Sequence, residues 1–263
     1  MNSSQILTMP AAAYRKAAGV AKSDLDLISR SPAHFRYGER EETDAMRIGT
    51  IIHQAVFDQE SLNYAVKPEG MSFATKEGKM WKLEHEGTPI ITQKESDMIG
   101  GILMSIRRHP KGSKLITGGL SEQSLFATDS QGTLRKARTD FLPEKTPVIV
   151  DLKTCEDARP NKFSRSLLDY RYHVQAAYYL DLCKLIGEDR RAFILIAAEK
   201  TPPYAVMVYQ VQDEDVEFGR MLYQRDLQLY RNCMESGTWP AYSDEIELIG
   251  IPEYAKQELD EIL

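Results

Sequence analysis

Two neighbouring stretches, Leu134-Arg135-Lys136-Ala137-Arg138-Thr139-Asp140-Phe141-Leu142 and Val148-Ile149-Val150-Asp151-Leu152-Lys153, decide how this chain reads. The second is a short apolar run rich in β-branched residues, the composition of a buried strand. The first, taken from Thr133, also reads as a strand and carries Asp140 near its end. Between them, Pro143-Glu144-Lys145-Thr146-Pro147 is a turn signal. Side chains two apart on a strand share a face. Asp151 and Lys153 therefore project together, and Asp140 can meet them from the paired strand. Two carboxylates and an ammonium on one sheet face can hold a hard divalent cation, which favours carboxylate, water and phosphate oxygens. The same set can prepare a water for attack on a phosphodiester. The plain alternative is that Asp-x-Lys marks a solvated strand edge.

Patterning outward from these stretches gives a mixed α/β domain. Strands are expected at 121–128, 133–142 and 147–153, the first two joined as a hairpin by Asp129-Ser130-Gln131-Gly132. A helix at 170–185 leads to a strand at 191–197, which pairs by alternation with one at 204–211. A long helix at 213–236 then ends at Gly237-Thr238-Trp239-Pro240. Upstream, Ser23 reads as the N-cap of a helix that stops at Ser31-Pro32, followed by a short turn at 33–37. A helix at 45–57 carries His53, and another at 92–109 opens with a Thr92/Glu95 capping box and is weakened by Gly100-Gly101. Residues 60–90 lack a clear period beyond strand-like 64–67, and are expected to be an irregular, mobile segment near DNA. The expected organisation is one domain over 1–263, with a helical part at about 1–115 and a catalytic core at about 116–240. Its centre is a mixed sheet flanked by helices.

Four motifs stand in order along the chain: Gly49-Thr50-Ile51-Ile52-His53, Asp140, Asp151-Leu152-Lys153, and Gln175-Ala176-Ala177-Tyr178-Tyr179. The ordered set resembles the PD-(D/E)xK nuclease superfamily, in particular its RecE-like exonuclease branch, of which the exonuclease VIII nuclease domain is a member. The resemblance implies a restriction-endonuclease-like core and the following roles. Asp140, Asp151, the Leu152 carbonyl and His53 would be metal ligands, for Mg²⁺ with Mn²⁺ as a substitute. Lys153 would position or activate the attacking water. Gln175 would orient the DNA backbone or the lysine, with Tyr179 supporting it one turn later. Glu122 resembles the acid that precedes the core on an earlier strand. The implied activity is 5′–3′ digestion of double-stranded DNA from its ends, leaving 3′ single-stranded tails for recombination by strand annealing. Implied partners are a single-strand annealing protein of RecT type and further copies of the chain in a tetrameric ring. Ser23, Arg30 and Arg47 are candidates to grip a terminal 5′ phosphate, and Arg138 is a candidate DNA contact beside Asp140. Each residue also has a plainer role: His53 as a core histidine, Gln175 and Tyr179 as packing, Glu122 as a surface acid. A single-strand or structure-specific nuclease of the same superfamily, or a non-catalytic DNA-binding module, are the competing functions.

Composition bounds these readings. The chain has 263 residues, 42% hydrophobic and 27% charged, an ordinary globular balance that can bury a substantial core. No apolar run approaches the roughly 18 residues of a membrane span, and Met1-Asn2-Ser3-Ser4-Gln5-Ile6-Leu7 has no secretory pattern. Cytoplasmic residence is the expectation. Cys155, Cys183 and Cys233 are scattered, which excludes a paired disulfide framework and the four-cysteine iron–sulfur site of some nucleases. A net charge of −6 is unusual for a DNA-binding chain. A basic channel within an acidic exterior would reconcile the two, drawing on Arg135-Lys136-Ala137-Arg138, Arg107-Arg108-His109-Pro110-Lys111, and Arg159, Lys162, Arg165, Arg171 and His173. The acids gather at 213–215 and 244–261.

Overall fold

The computed structural model of the chain describes residues 4–39, 43–58, 62–253 and 256. The strands, in chain order, are β1 (Gln5–Thr8), β2 (Ala65–Val66), β3 (Ile90–Ile91), β4 (Gly119–Thr128), β5 (Leu134–Pro143), β6 (Val148–Cys155), β7 (Ala192–Glu199) and β8 (Val206–Gln210). The helices are α1 (Ala11–Lys16), α2 (Lys22–Arg30), α3 (Pro32–Tyr37), α4 (Asp44–Phe57), α5 (Lys76–Glu84), α6 (Gln93–Arg108), α7 (Gly112–Leu115), α8 (Pro160–Asp169), α9 (Tyr172–Ile186) and α10 (Asp213–Ser236). Strands β2 and β3 pair with each other, and the other six form one sheet in the order β1-β4-β5-β6-β7-β8. Every neighbour in that sheet is antiparallel except β6 and β7. A parallel pair needs a long crossover, and α8 with α9 supplies it. This is the mixed sheet flanked by helices that the strand and helix pattern predicts.

Helices cover both faces of the sheet, which explains why β6 is apolar throughout instead of alternating. Val148, Val150 and Leu152 belong to the core shared with Ile51 and Ile52 of α4 and Ile102 of α6. Ile149 belongs to the opposite core, with Val174, Ala177 and Tyr178 of α9 and Tyr223 of α10. Strand β7 follows the same period, Phe193 and Leu195 on one face, Ile194 and Ile196 on the other. Strand β5 does not. Ala137 and Leu142 share one core although period two would oppose them, while Phe141 enters the other. The alternation slips between these positions, where Asp140 lies.

Several ends have identifiable causes. The Asp129 carboxylate accepts from the Gln131 and Thr133 N–H groups, both at 3.0 Å, which builds the β4–β5 turn. Arg190 donates to the Pro143, Thr146 and Val148 carbonyls and so clamps the expected Pro143–Pro147 turn. Thr92 and Glu95 form the expected capping box on α6. Asp213, Glu214 and Asp215 occupy the first turn of α10, where the helix dipole favours acids.

Other expectations are corrected. Helix α2 starts at Lys22, so Ser23 lies inside it and is not its N-cap. The cap position is Ala21, whose N–H is taken by the Asp24 carboxylate at 2.7 Å. The stretch 60–90 contains α5, with residues 59–61 outside the described set. Thr75 caps α5 through the Gly78 N–H at 3.1 Å. Gly78 hid the helix in the sequence, yet a Cβ there would lie 2.1 Å from the Ser72 carbonyl oxygen. Strand β1 and helices α1 and α8 are further elements that the period did not reveal. The run Arg135 to Arg138 is not an open basic face. Arg135 and Lys136 are buried, and Lys136 donates to the Tyr14, Arg15 and Ala17 carbonyls. No described helix is long and apolar enough to cross a membrane.

Two glycine substitutions separate helix propensity from packing. A Cβ on Gly100 of α6 would meet nothing within 4 Å, so Gly100→Ala is expected to stabilise by about 0.5–1 kcal/mol. A Cβ on Gly219 of α10 would lie 2.2 Å from the His173 carbonyl oxygen of α9. Gly219→Ala is therefore expected to destabilise by about 1–3 kcal/mol despite its better propensity. Urea unfolding of both variants reads the opposite signs directly.

Candidate active site

The site forms where the central ladder opens. Strands β5 and β6 have a single partnered pair, Phe141 with Val150. One step further, the Leu152 N–H donates to Oδ2 of the Asp140 side chain at 2.8 Å. On the other side of β5, the register runs Ser121 to Phe141 and then Gln123 to Thr139, skipping Glu122 and Asp140. Glu122 is held at φ 54°, a left-handed conformation rare for a residue with a Cβ. Such strain costs on the order of 1–2 kcal/mol and persists only when the surroundings fix it. Here Arg138 donates to the Glu122 carboxylate at 2.6 Å, and also to Met9 O at 2.8 Å and Ser124 Oγ at 2.9 Å.

The result is a convergence of donors from three elements. His53 of α4, Glu122 of β4 and Asp140 of β5 present ligand atoms within 4.8 Å of one another. His53 Nδ1 is 3.3 Å from Asp140 Oδ1. Asp151 lies outside that group of three but next to it, tied to the same strand pair. Its Oδ1 accepts from Gln175 Nε2 of α9 at 2.5 Å, and its Oδ2 is 2.7 Å from Lys153 Nζ. That Oδ2 is fully buried and receives no well-directed hydrogen bond. A buried carboxylate oxygen with an open lone pair, beside two further carboxylates and an imidazole, fits a hard divalent cation.

Electrostatics mark the same place. Burial, and then the Asp140 charge, push the Asp151 carboxyl up to about 6, against the pull of Lys153. Burial acts to raise Asp140 too, but His53 and Lys153 outweigh it and hold this carboxyl below the ordinary range. Burial would lower His53; the Asp140 carboxylate overrides it and keeps the imidazole protonated up to about 9. Burial would lower Lys153 as well, and Asp151 with Asp140 raises it. Glu122 is pushed up by burial and then by Asp140. Two carboxylates in one pocket with titrations driven apart are a common mark of acid–base or metal chemistry.

The other expected residues divide. Tyr179 faces inward, edge-on to Phe193 at 6.1 Å, and its phenol is pushed well above the ordinary range by burial. The main-chain group of Leu152 that the structure ties to the site is its N–H, through Asp140. Arg47 is engaged by Asp44 at 3.2 Å, Glu95 at 3.5 Å and the Ile90 carbonyl at 2.9 Å, and staples α4 to α6. Arg30 and Ser23 are exposed on α2, with Arg30 Nε 3.3 Å from the Tyr242 hydroxyl. Three further groups lie beside the site; Lys22 and Tyr172 were not singled out from sequence, and Arg171 was expected only as part of a basic channel. Lys22 bonds Asp26 at 2.8 Å and the Tyr170 carbonyl at 2.9 Å. The Tyr172 ring lies 4.7 Å from Lys153 Nζ. Arg171, in a left-handed conformation at φ 54°, reaches the fully buried Asp226. The Lys22/Asp26 spacing of four on a helix was the one available signal.

The profile of a family described as a PDDEXK-like domain of unknown function (DUF3799) matches residues 23–251. Among solved structures, a provisionally named exonuclease from Eubacterium rectale is similar over 92% of this chain and 97% of its own, with TM-score 0.59 and 13% identity. A phage-related exonuclease from Haemophilus somnus 129PT is similar over 86% of this chain and 100% of its own, with TM-score 0.38 and 12% identity. No curated protein matches the chain.

Metal titration tests the ligand set. The metal-free imidazole of His53 keeps its proton up to about 9, whereas a ligating imidazole must be neutral. Binding of Mg²⁺ or Mn²⁺ near neutral pH should therefore release about one proton, and affinity should rise with pH. Calorimetry in two buffers of different ionisation enthalpy counts that proton. A His53→Ala variant should bind more weakly and release less; an unchanged proton count would remove His53 from the ligands.

Proposed function

This chain belongs to the PDDEXK-like family, whose profile spans residues 23–251, and on that premise we propose that it is a metal-dependent exodeoxyribonuclease. The observation that carries the reading is the meeting of His53, Glu122 and Asp140 within 4.8 Å, beside an Asp151–Lys153 ion pair. Nucleases of this superfamily depend on divalent metal, and His53, Glu122, Asp140 and Asp151 are the residues that would hold it, with the Leu152 carbonyl adjacent. When bound, a divalent cation lowers the pKa of water and neutralises charge on a phosphate.

The side chains then have defined tasks. Gln175 fixes Asp151 through Oδ1 and so aims Oδ2 into the site. Asp140 is fixed through Oδ2 by the Leu152 N–H, which aims its Oδ1 toward His53. Lys153 sits on the Asp151 carboxylate, where its ammonium orients the attacking water and offsets charge that develops on the phosphate oxygens. Arg138 holds Glu122 in its left-handed conformation. Tyr179 supports the helix that carries Gln175.

The finer reading follows the ordered motifs. The substrate is double-stranded DNA, degraded from its ends in the 5′–3′ direction with Mg²⁺ or Mn²⁺, leaving 3′ tails for recombination or repair. A single-strand annealing protein of RecT type would receive those tails, and copies of the chain would assemble as a ring. Arg138 is committed to Glu122, so DNA contact through it is indirect; Ser23 and Arg30 remain exposed for a terminal phosphate.

Digestion of linear duplexes labelled at either the 5′ or the 3′ end tests this reading. The expected result is early loss of the 5′ label, with covalently closed circles left intact. Cleavage of closed circles would make the enzyme an endonuclease, and preference for single strands would move it to another branch. Lys153→Ala and Asp151→Ala should each lower turnover by roughly 10²–10⁴-fold with far-UV circular dichroism unchanged. Full activity in either variant removes the assigned mechanism.

A further inference from the structure

An aromatic stack leads from the core to the surface beside Lys153. Tyr209 and Phe163 stack at 5.2 Å and 10°, and Phe163 meets Tyr172 at 6.2 Å. Tyr172 stacks on Tyr170 at 5.5 Å and 21°. The inner members are packed, whereas Tyr170 ends the stack and is 63% exposed. The other face of the site begins at once, because Lys153 Nζ lies 4.7 Å from the Tyr172 ring centroid.

This exposed ring is held, not left over. The Tyr170 N–H donates to Ser166 O at 3.0 Å, and its carbonyl accepts from Lys22 Nζ at 2.9 Å. Arg171, between the two tyrosines, is in the left-handed region at φ 54°. Its guanidinium pairs with Asp26 at 3.2 Å and with Asp226, which is fully buried. Left-handed backbone is costly for a non-glycine residue, and a buried carboxylate needs its partner. Both constraints fix the turn that stacks the tyrosines.

We propose that the Tyr170–Tyr172 stack is a seat for a nucleobase that has left the duplex stack, in one of the nucleotides flanking the phosphate at Lys153. The proposal rests on the nuclease reading and adds to it a feature of the substrate: a frayed or single-stranded end. A base in the interior of a duplex has both faces covered by its neighbours, so an interior base must leave the stack to lie on Tyr170, and the nucleotides that flank a scissile phosphate are freed in this way by fraying. The seat is sequence-tolerant, since every base has a π face. Its rigid support means that little side-chain freedom is lost on binding. Lys153 Nζ, paired with Asp151 and 4.7 Å from the Tyr172 ring centroid, is the cation nearest the stack and places the phosphate of the same strand beside it.

The test uses the whole chain with DNA carrying 5-iodouracil at successive positions from a frayed end, with Ca²⁺ in place of Mg²⁺. Irradiation should crosslink one position to Tyr170, located by peptide mass spectrometry. Tyr170→Ala should raise KM for frayed-end DNA by roughly 5–100-fold with a smaller change in kcat, and Tyr170→Phe should restore it. Crosslinks that map elsewhere, or an unchanged KM in Tyr170→Ala, overturn the seat in an enzyme that still cleaves DNA. A wild-type chain that cleaves no DNA instead overturns the nuclease reading, and the crosslink then decides separately whether the ring receives a base.

Discussion

A main-chain hydrogen bond surrendered to a side chain governs this molecule. The Leu152 N–H points toward β5, and where an uninterrupted ladder would offer it backbone, it meets the Asp140 carboxylate. Strands β5 and β6 diverge at that point, the inside–outside alternation of β5 slips, and Glu122 opposite is forced into a left-handed conformation. A continuous ladder would satisfy the backbone more simply. It would also leave no gap among three carboxylates. The sheet is therefore interrupted at its centre, where helices cover both faces and the charged side chains must largely satisfy one another.

Charge balance inside that gap is tight. Burial and then the Asp140 charge push Asp151 up, whereas His53 and Lys153 outweigh burial at Asp140, so the two titrations separate. Gln175 and the Leu152 N–H occupy one oxygen of each acid and leave the other directed inward. The same logic runs outward along Lys22, Asp26, Arg171 and Asp226, a chain of alternating charge that ties α2, α9 and α10 to the rim of the site. A net negative chain thus keeps many of its basic groups for internal pairing. Arg47, Arg135, Lys136, Arg138 and Arg171 are all engaged within the fold.

Much of this was legible in the sequence because the relevant signals are local or periodic. The apolar run of β6, the Thr92/Glu95 capping box and the turn at Asp129 each specify their element within a few residues. The pairing of Asp151 with Lys153 follows from the period of two. What stayed hidden depends on tertiary contact. Helix α5 is concealed by Gly78, which is small because the Ser72 carbonyl crowds it. Strand β1 is four residues long and exists because β4 offers it an edge. The burial of Arg135 and Lys136 cannot be read from charge, since a basic run looks the same whether it faces solvent or carbonyl groups. Glu122 was visible as an acid before the core, but its placement against His53 and Asp140 depends on a backbone distortion that no residue pattern announces.

That distortion sets chemistry and fold against each other at a single position. The backbone at 122 has the shape that glycine adopts freely, while the carboxylate is what meets His53 and Asp140. Glycine at 122 would relax that backbone, but it would also take the carboxylate from Arg138 and from its meeting with His53 and Asp140, so the strain and the convergence of side chains stand or fall together.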